Sequence, residues 1–135
     1  MDDLLEERWG LASRRVAQIA AEPSDGSGWR EFFCGTASFL QRTIETGRDW
    51  ARFTPKEKRR QNELLYADIL PESYGRSYGD PAYAVRRLGE CGRLLSFLYS
   101  ELRGMIVYAR EGRVWDMTVC CELFLEVYGV FAREG

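Results

Sequence analysis

Histidine is absent from the 135 residues. That removes Ser-His-Asp and Cys-His nucleophilic systems, which need an imidazole to take the proton. It also removes zinc sites of the His-Glu-x-x-His type and histidine-containing di-iron sites of helical bundles. Lysine is nearly absent: Lys56 and Lys58 are the only two among 19 basic residues. Both fall in a charged helix start, a poor setting for the desolvated amine of a Schiff base. Cysteine is sparse, at Cys34, Cys91, Cys120 and Cys121. This spacing has nothing of the paired C-x₂-C knuckles that hold zinc. Cys120 and Cys121 are neighbours on a predicted helix, so they point about 100° apart and do not clamp one metal together. All four read as small apolar packing residues rather than disulfides. No apolar run is long enough to span a bilayer. The start, Met1 to Arg8, is acidic and lacks the apolar core of a secretory signal. The expected setting is the cytoplasm.

What is present is ordinary for a folded chain. Hydrophobic residues make up 45% and charged residues 30%, enough of each for a core and a solvated surface. The length suits a single domain, residues 1–135, able to fold without disulfides or metal. The net charge of −2 gives no basic footprint for nucleic acid and no pull toward an anionic membrane. Neither partner is expected.

Hydrophobic periodicity predicts an all-α chain: an irregular or up-down bundle of about five helices. The first spans about 2–21, with Leu4, Leu5, Trp9, Ala12, Val16, Ile19 and Ala20 as its stripe. Acidic residues crowd its first turns, where the helix dipole favours them. Pro23 to Gly28 breaks the chain. The second helix spans 28–52, with Phe33, Ala37, Phe39, Leu40 and Ile44 among its apolar positions. Gly35 and Gly47 should each weaken it by about 1 kcal/mol relative to alanine. Thr54-Pro55-Lys56-Glu57 is a capping box with proline at the first helical position, opening a helix over 55–69. Asp80-Pro81 opens a fourth, 81–111. There Leu88, Leu95, Leu102 and Ala109, with Cys91, Leu98 and Met105, form a bundle seam. Gly89, Gly92 and Gly104 are candidates for close helix approach or a bend. Gly112 closes this helix, and a short link makes it an antiparallel hairpin with the fifth, 114–132. The fifth is apolar nearly all round, the mark of a central helix.

Four constellations carry possible function. Lys56, Lys58, Arg59 and Arg60 are the one dense basic run; Glu57 and Glu63 interrupt it, so it reads as a solvated face. Glu101, Glu122 and Glu126 offer carboxylates for acid–base or metal work, or a polar seam paired with arginine. Trp9, Trp29, Trp50 and Trp115 are spread over the helices as core or contact residues. Tyr74, Arg76, Tyr78, Tyr83 and Arg86 form the candidate interaction surface, since tyrosine and arginine are favoured at binding hot spots. No residue is assigned a catalytic, cofactor-binding or metal-binding role.

Three segments add a family resemblance. They are Leu65-Tyr66-Ala67-Asp68-Ile69-Leu70-Pro71-Glu72-Ser73-Tyr74 with Ser77 to Val85, Leu94 to Ala109, and Glu122-Leu123-Phe124-Leu125-Glu126-Val127-Tyr128. Over about residues 62–131 they resemble the N-terminal helical region of clostridial metal-dependent aminopeptidases of the aminopeptidase T type. The first 60 residues agree only in helical character. The resemblance implies that a divalent-metal exopeptidase domain follows in the parent protein, with its ligands there and none on this chain. The implied role is a non-catalytic accessory domain. It would pack on its own catalytic domain, self-associate or restrict access to the site. The other expectation is a stand-alone helical binding or scaffold protein.

Overall fold

A computed structural model describes residues 3–23, 28–68 and 91–134. Among these, five α-helices and one short 3₁₀ turn account for the regular structure, and no strand occurs. The helices are α1 (Asp3–Ala20), α2 (Gly28–Asp49), α3 (Pro55–Asp68), α4 (Cys91–Glu111) and α5 (Val114–Glu134). The 3₁₀ turn Trp50–Arg52 ends α2 three residues before the boundary expected from sequence. The expected start of the fourth helix, 81–90, lies outside the described residues.

Local signals place the helix ends. The Glu57 backbone N–H donates to Thr54 Oγ1 at 3.2 Å, the capping contact that Thr54-Pro55 implies. Gly112 takes φ +67°, a conformation that glycine adopts without a Cβ penalty. The Arg113 N–H donates to the Tyr108 carbonyl at 2.8 Å and the Gly112 N–H to the Ala109 carbonyl at 3.4 Å. This pair of bonds is the Schellman closure of a helix, and it turns α4 directly into α5.

The core is filled from α1, α2, α4 and α5. Ala12, Val16 and Ile19 meet Phe33, Ala37, Phe39, Leu40 and Ile44 from α2. Leu98, Leu102, Met105 and Ile106 enter from α4, and Met117, Cys120, Cys121, Phe124 and Val127 from α5. The expected seam residues Leu98, Leu102, Met105 and Ala109 are all buried. Phe33 anchors the centre, with its ring 5.7 Å from Phe124 and 5.5 Å, edge-on, from Tyr128. Buried Thr43 and Thr118 satisfy their hydroxyls on the carbonyls of Phe39 and Val114, each at 2.8 Å.

Contacts between helices fix their directions. Arg8 reaches Trp115 near the start of α5, and Arg15 reaches Tyr128 further along, so α1 and α5 run parallel. The ends of α2 and α4 meet where Gly47 touches Ala109, so these two also point the same way. α4 and α5 form the expected antiparallel hairpin. α3 sits outside this ring, against the ends of α2 and α4, where Arg110 donates to Asn62 at 3.2 Å.

Three expectations need correction. Leu4, assigned to the buried stripe of α1, is 62% exposed. α5 is not enclosed on all sides, because Trp115 and Val119 are 56% and 37% exposed. α5 packs mainly against α1 and α4, and these leave its outer side uncovered. Among the glycines described, close helix approach is at Gly47 on α2 rather than at Gly104 on α4, while Gly89 lies outside the described residues. The nearest atoms a Cβ on Gly104 would meet belong to the Tyr108 side chain of its own helix.

Candidate protein-interaction face

On α1, Leu4, Arg8 and Leu11 fall at i, i+4 and i+7, which places them along one stripe. Trp115, Val119 and Glu122 repeat that spacing on α5. Because α1 and α5 are parallel neighbours, the two stripes lie side by side. Arg8 joins them. Its Nε donates to Glu122 Oε2 at 3.1 Å, and its Nη2 donates to Glu122 Oε1. The guanidinium also lies 5.0 Å from the centre of the Trp115 ring, a cation–π distance. The hydrogen bond to Glu122 holds the Arg8 pKa above its ordinary value, with desolvation opposing.

The result is a charge-neutral centre with apolar flanks. Leu11 is 58% exposed, so with Leu4, Trp115 and Val119 four large apolar side chains face solvent around one ion pair. Arginine and tryptophan together are the usual anchors of a binding hot spot. Here the arginine is already held in place by two hydrogen bonds and a ring, so little side-chain freedom is left to lose on docking.

The other polar clusters are engaged internally. Tyr128 donates to Glu22 Oε2 at 3.0 Å while Arg15 lies 5.6 Å over its ring, which ties the end of α1 to α5. Burial, then the Glu22 hydrogen bond, raises the Tyr128 pKa. At the opposite end Trp50 lies between α2, α3 and α4. Arg110 is 5.2 Å and Lys58 5.8 Å from its ring centre, and Phe53 stands edge-on at 6.1 Å. This cluster clamps α3 to the bundle.

The carboxylates named from sequence are not gathered into one site. Glu122 is paired with Arg8, as an arginine-paired surface requires, and Glu101 accepts from Tyr108 at 3.3 Å. Glu126 is exposed on the outer side of α5. Among the described residues no group of three or more Cys, Asp or Glu is placed to hold a metal ion. No helix among them is long and apolar enough to cross a membrane. In the basic run, Lys56, Arg59 and Arg60 are exposed, as a solvated face requires, while Lys58 turns onto Trp50. Tyr74, Arg76, Tyr78, Tyr83 and Arg86 lie outside the described residues.

Sequence reasoning missed Arg8, Leu11 and Val119 as parts of one surface. Two signals pointed there. Leu11 falls off the apolar stripe of α1, and α5 carries more apolar positions than two neighbours can cover. Comparison of the chain with known protein families, curated proteins and solved structures finds no match.

Proposed function

We propose that this chain is a non-catalytic helical docking module whose working surface is the α1/α5 face. One observation carries the reading: Leu4, Leu11, Trp115 and Val119 are exposed together around the Arg8–Glu122 pair. Apolar side chains scattered singly over a surface are ordinary; a clustered set rimmed by polar groups marks an interaction site. Cys120 and Cys121 are buried as free thiols, which fits a reducing compartment, so the proposal sets the module in the cytoplasm.

The narrower version makes this module the accessory N-terminal domain of a metal-dependent aminopeptidase, with the divalent metal bound elsewhere in the parent. Its support is the resemblance of the segments within residues 62–131 and nothing further. In that version the face packs on the catalytic domain or on a second copy.

Site-specific photo-cross-linking tests the docking reading. A benzoylphenylalanine is placed at Leu11, at Val119 and, as a control on α3 away from the α1/α5 face, at Arg59. Irradiation in the producing cells is expected to give a discrete protein adduct from positions 11 and 119 and none from 59. Absence of adducts at both face positions, or equal adducts at Arg59, overturns the reading. Mass spectrometry of the adduct then distinguishes a second copy from a different protein.

A further inference from the structure

We infer that α3 is a strap that opens on its own. It leaves the bundle and unfolds as one unit while α1, α2, α4 and α5 stay folded, and Trp50 is the latch that holds it closed. Its inner side is polar over most of its length. Of the side chains from Pro55 to Leu64, none is buried. Lys58, Gln61 and Asn62 are half-buried, and they fall at i, i+3 and i+4, so they form the stripe that faces the bundle. Leu64, the one large apolar side chain of this stretch, is 52% exposed. The other four helices each send buried apolar side chains into the core, and none from Pro55 to Leu64 joins them.

The contacts that hold α3 down converge on Trp50. Lys58 Nζ lies 5.8 Å from the centre of the indole, and the Arg110 guanidinium, from α4, lies 5.2 Å from it. Arg110 also donates to Asn62 Oδ1 at 3.2 Å. One ring thus carries a cation from α3 and a cation from the bundle, and its attraction for both offsets their mutual repulsion. Part-exposed polar contacts of this kind each contribute less than the burial of one leucine side chain. Off the bundle, α3 is a helix of 14 residues, a length at which an isolated helix is marginal in water. Undocking and unfolding are therefore one step. Trp50 sits outside the buried core, so the four remaining helices keep their packing when the strap opens. The open form uncovers Trp50 and Arg110 at the ends of α2 and α4, and an effector that favours one form shifts the balance between them. The α1/α5 face lies on other helices and is not altered by this opening.

Native-state hydrogen exchange on the full chain tests the strap, in urea from zero to just below the unfolding midpoint. Where exchange reports the opening equilibrium, the amides of 58–68 are expected to share one opening constant. It should be at least about 100-fold larger than that of the slowest amides in the other four helices, and should rise only weakly with urea. Trp50→Leu is expected to raise the 58–68 constant about tenfold and to leave the slowest core amides unchanged. Lys58→Gln lies on the surface and does not disturb the core. It is expected to raise the 58–68 constant about threefold, and it decides the matter if Trp50→Leu weakens the whole bundle. Amides of 58–68 that exchange only by global unfolding, with the core's opening constant and urea dependence, overturn the strap. Opening constants that change residue by residue along α3 overturn its opening as one unit. An unchanged 58–68 constant in either variant overturns the latch.

Discussion

Gly47→Ala and Gly35→Ala are the same substitution in the same helix, and the fold requires opposite outcomes. In an exposed helix interior, glycine to alanine stabilises by up to about 1 kcal/mol, because alanine loses less backbone freedom on folding. Gly35 is exposed, and a Cβ there meets nothing within 4 Å, so it is expected to show this gain. A Cβ on Gly47 would stand 2.5 Å from the Ala109 carbonyl oxygen and 2.6 Å from the Ala109 carbonyl carbon and Cβ. Relief requires α2 and α4 to move apart by about 1 Å, since carbon contacts are favourable only near 3.5–4.0 Å. Backbone atoms cannot rotate away as a side-chain tip can. Overpacking of this kind costs about 1–3 kcal/mol and outweighs the propensity gain. The propensity gain is common to both, so the two variants should differ by the overpacking cost, about 1–3 kcal/mol, a shift of roughly 0.5–1.5 M in urea midpoint for a domain of this size. Urea titration followed by far-UV circular dichroism measures it. Ala109→Gly added to Gly47→Ala should recover only part of the loss, because the Ala109 carbonyl remains. A Gly47→Ala protein as stable as Gly35→Ala refutes the close crossing of α2 and α4.

Further expectations follow from the core and caps. Phe33→Ala removes a ring buried against Phe124 and Tyr128 and should cost about 3–5 kcal/mol in a urea melt. Thr54→Ala should remove about 1 kcal/mol from α3. Because α3 lies outside the core, the loss should appear as faster amide exchange in 55–68, not as a large fall in the global midpoint. Burial raises the thiol pKa of Cys120 well above 9.0 and that of Cys121 from 9.0 to about 12. A thiol whose folded pKa is raised favours the fold fully below its unfolded value. That contribution is lost as pH rises toward the folded value, so the urea midpoint should fall above about pH 9. A midpoint unchanged between pH 8 and about pH 10.5 contradicts the burial of these two thiols. With a thiol reagent at neutral pH, half-buried Cys34 should react faster than either of them.

Much of the fold was legible because its signals are local. Thr54-Pro55, Gly112 and the heptad spacing of Leu102 and Ala109 each act within a few residues, and each fixed an element or its end. What was not legible depends on which helices become neighbours. Leu4 was grouped with Val16 and Ile19, yet it lies about 120° around the helix from Val16 and is exposed, whereas Val16 and Ile19 are buried. The all-round apolarity of α5 suggested enclosure, but periodicity cannot say how many neighbours a helix will find. The Arg8–Glu122 pair spans more than a hundred residues and appears only once α1 and α5 are parallel. The candidate interaction residues Tyr74, Arg76, Tyr78, Tyr83 and Arg86 were chosen by composition and lie outside the described residues; composition gives no hint of a surface built from two distant helices.

The most direct test of the docking face follows the tryptophan indole N–H resonances as the protein recovered from the photo-adduct is added. The chain has one indole each at Trp9, Trp29, Trp50 and Trp115. With assignments made by single substitution, the Trp115 resonance is expected to move as partner is added while that of Trp50, on the α2/α4 side of the bundle, stays fixed. Movement of Trp50 with Trp115 unmoved, or no movement at any indole at saturating partner, contradicts the account.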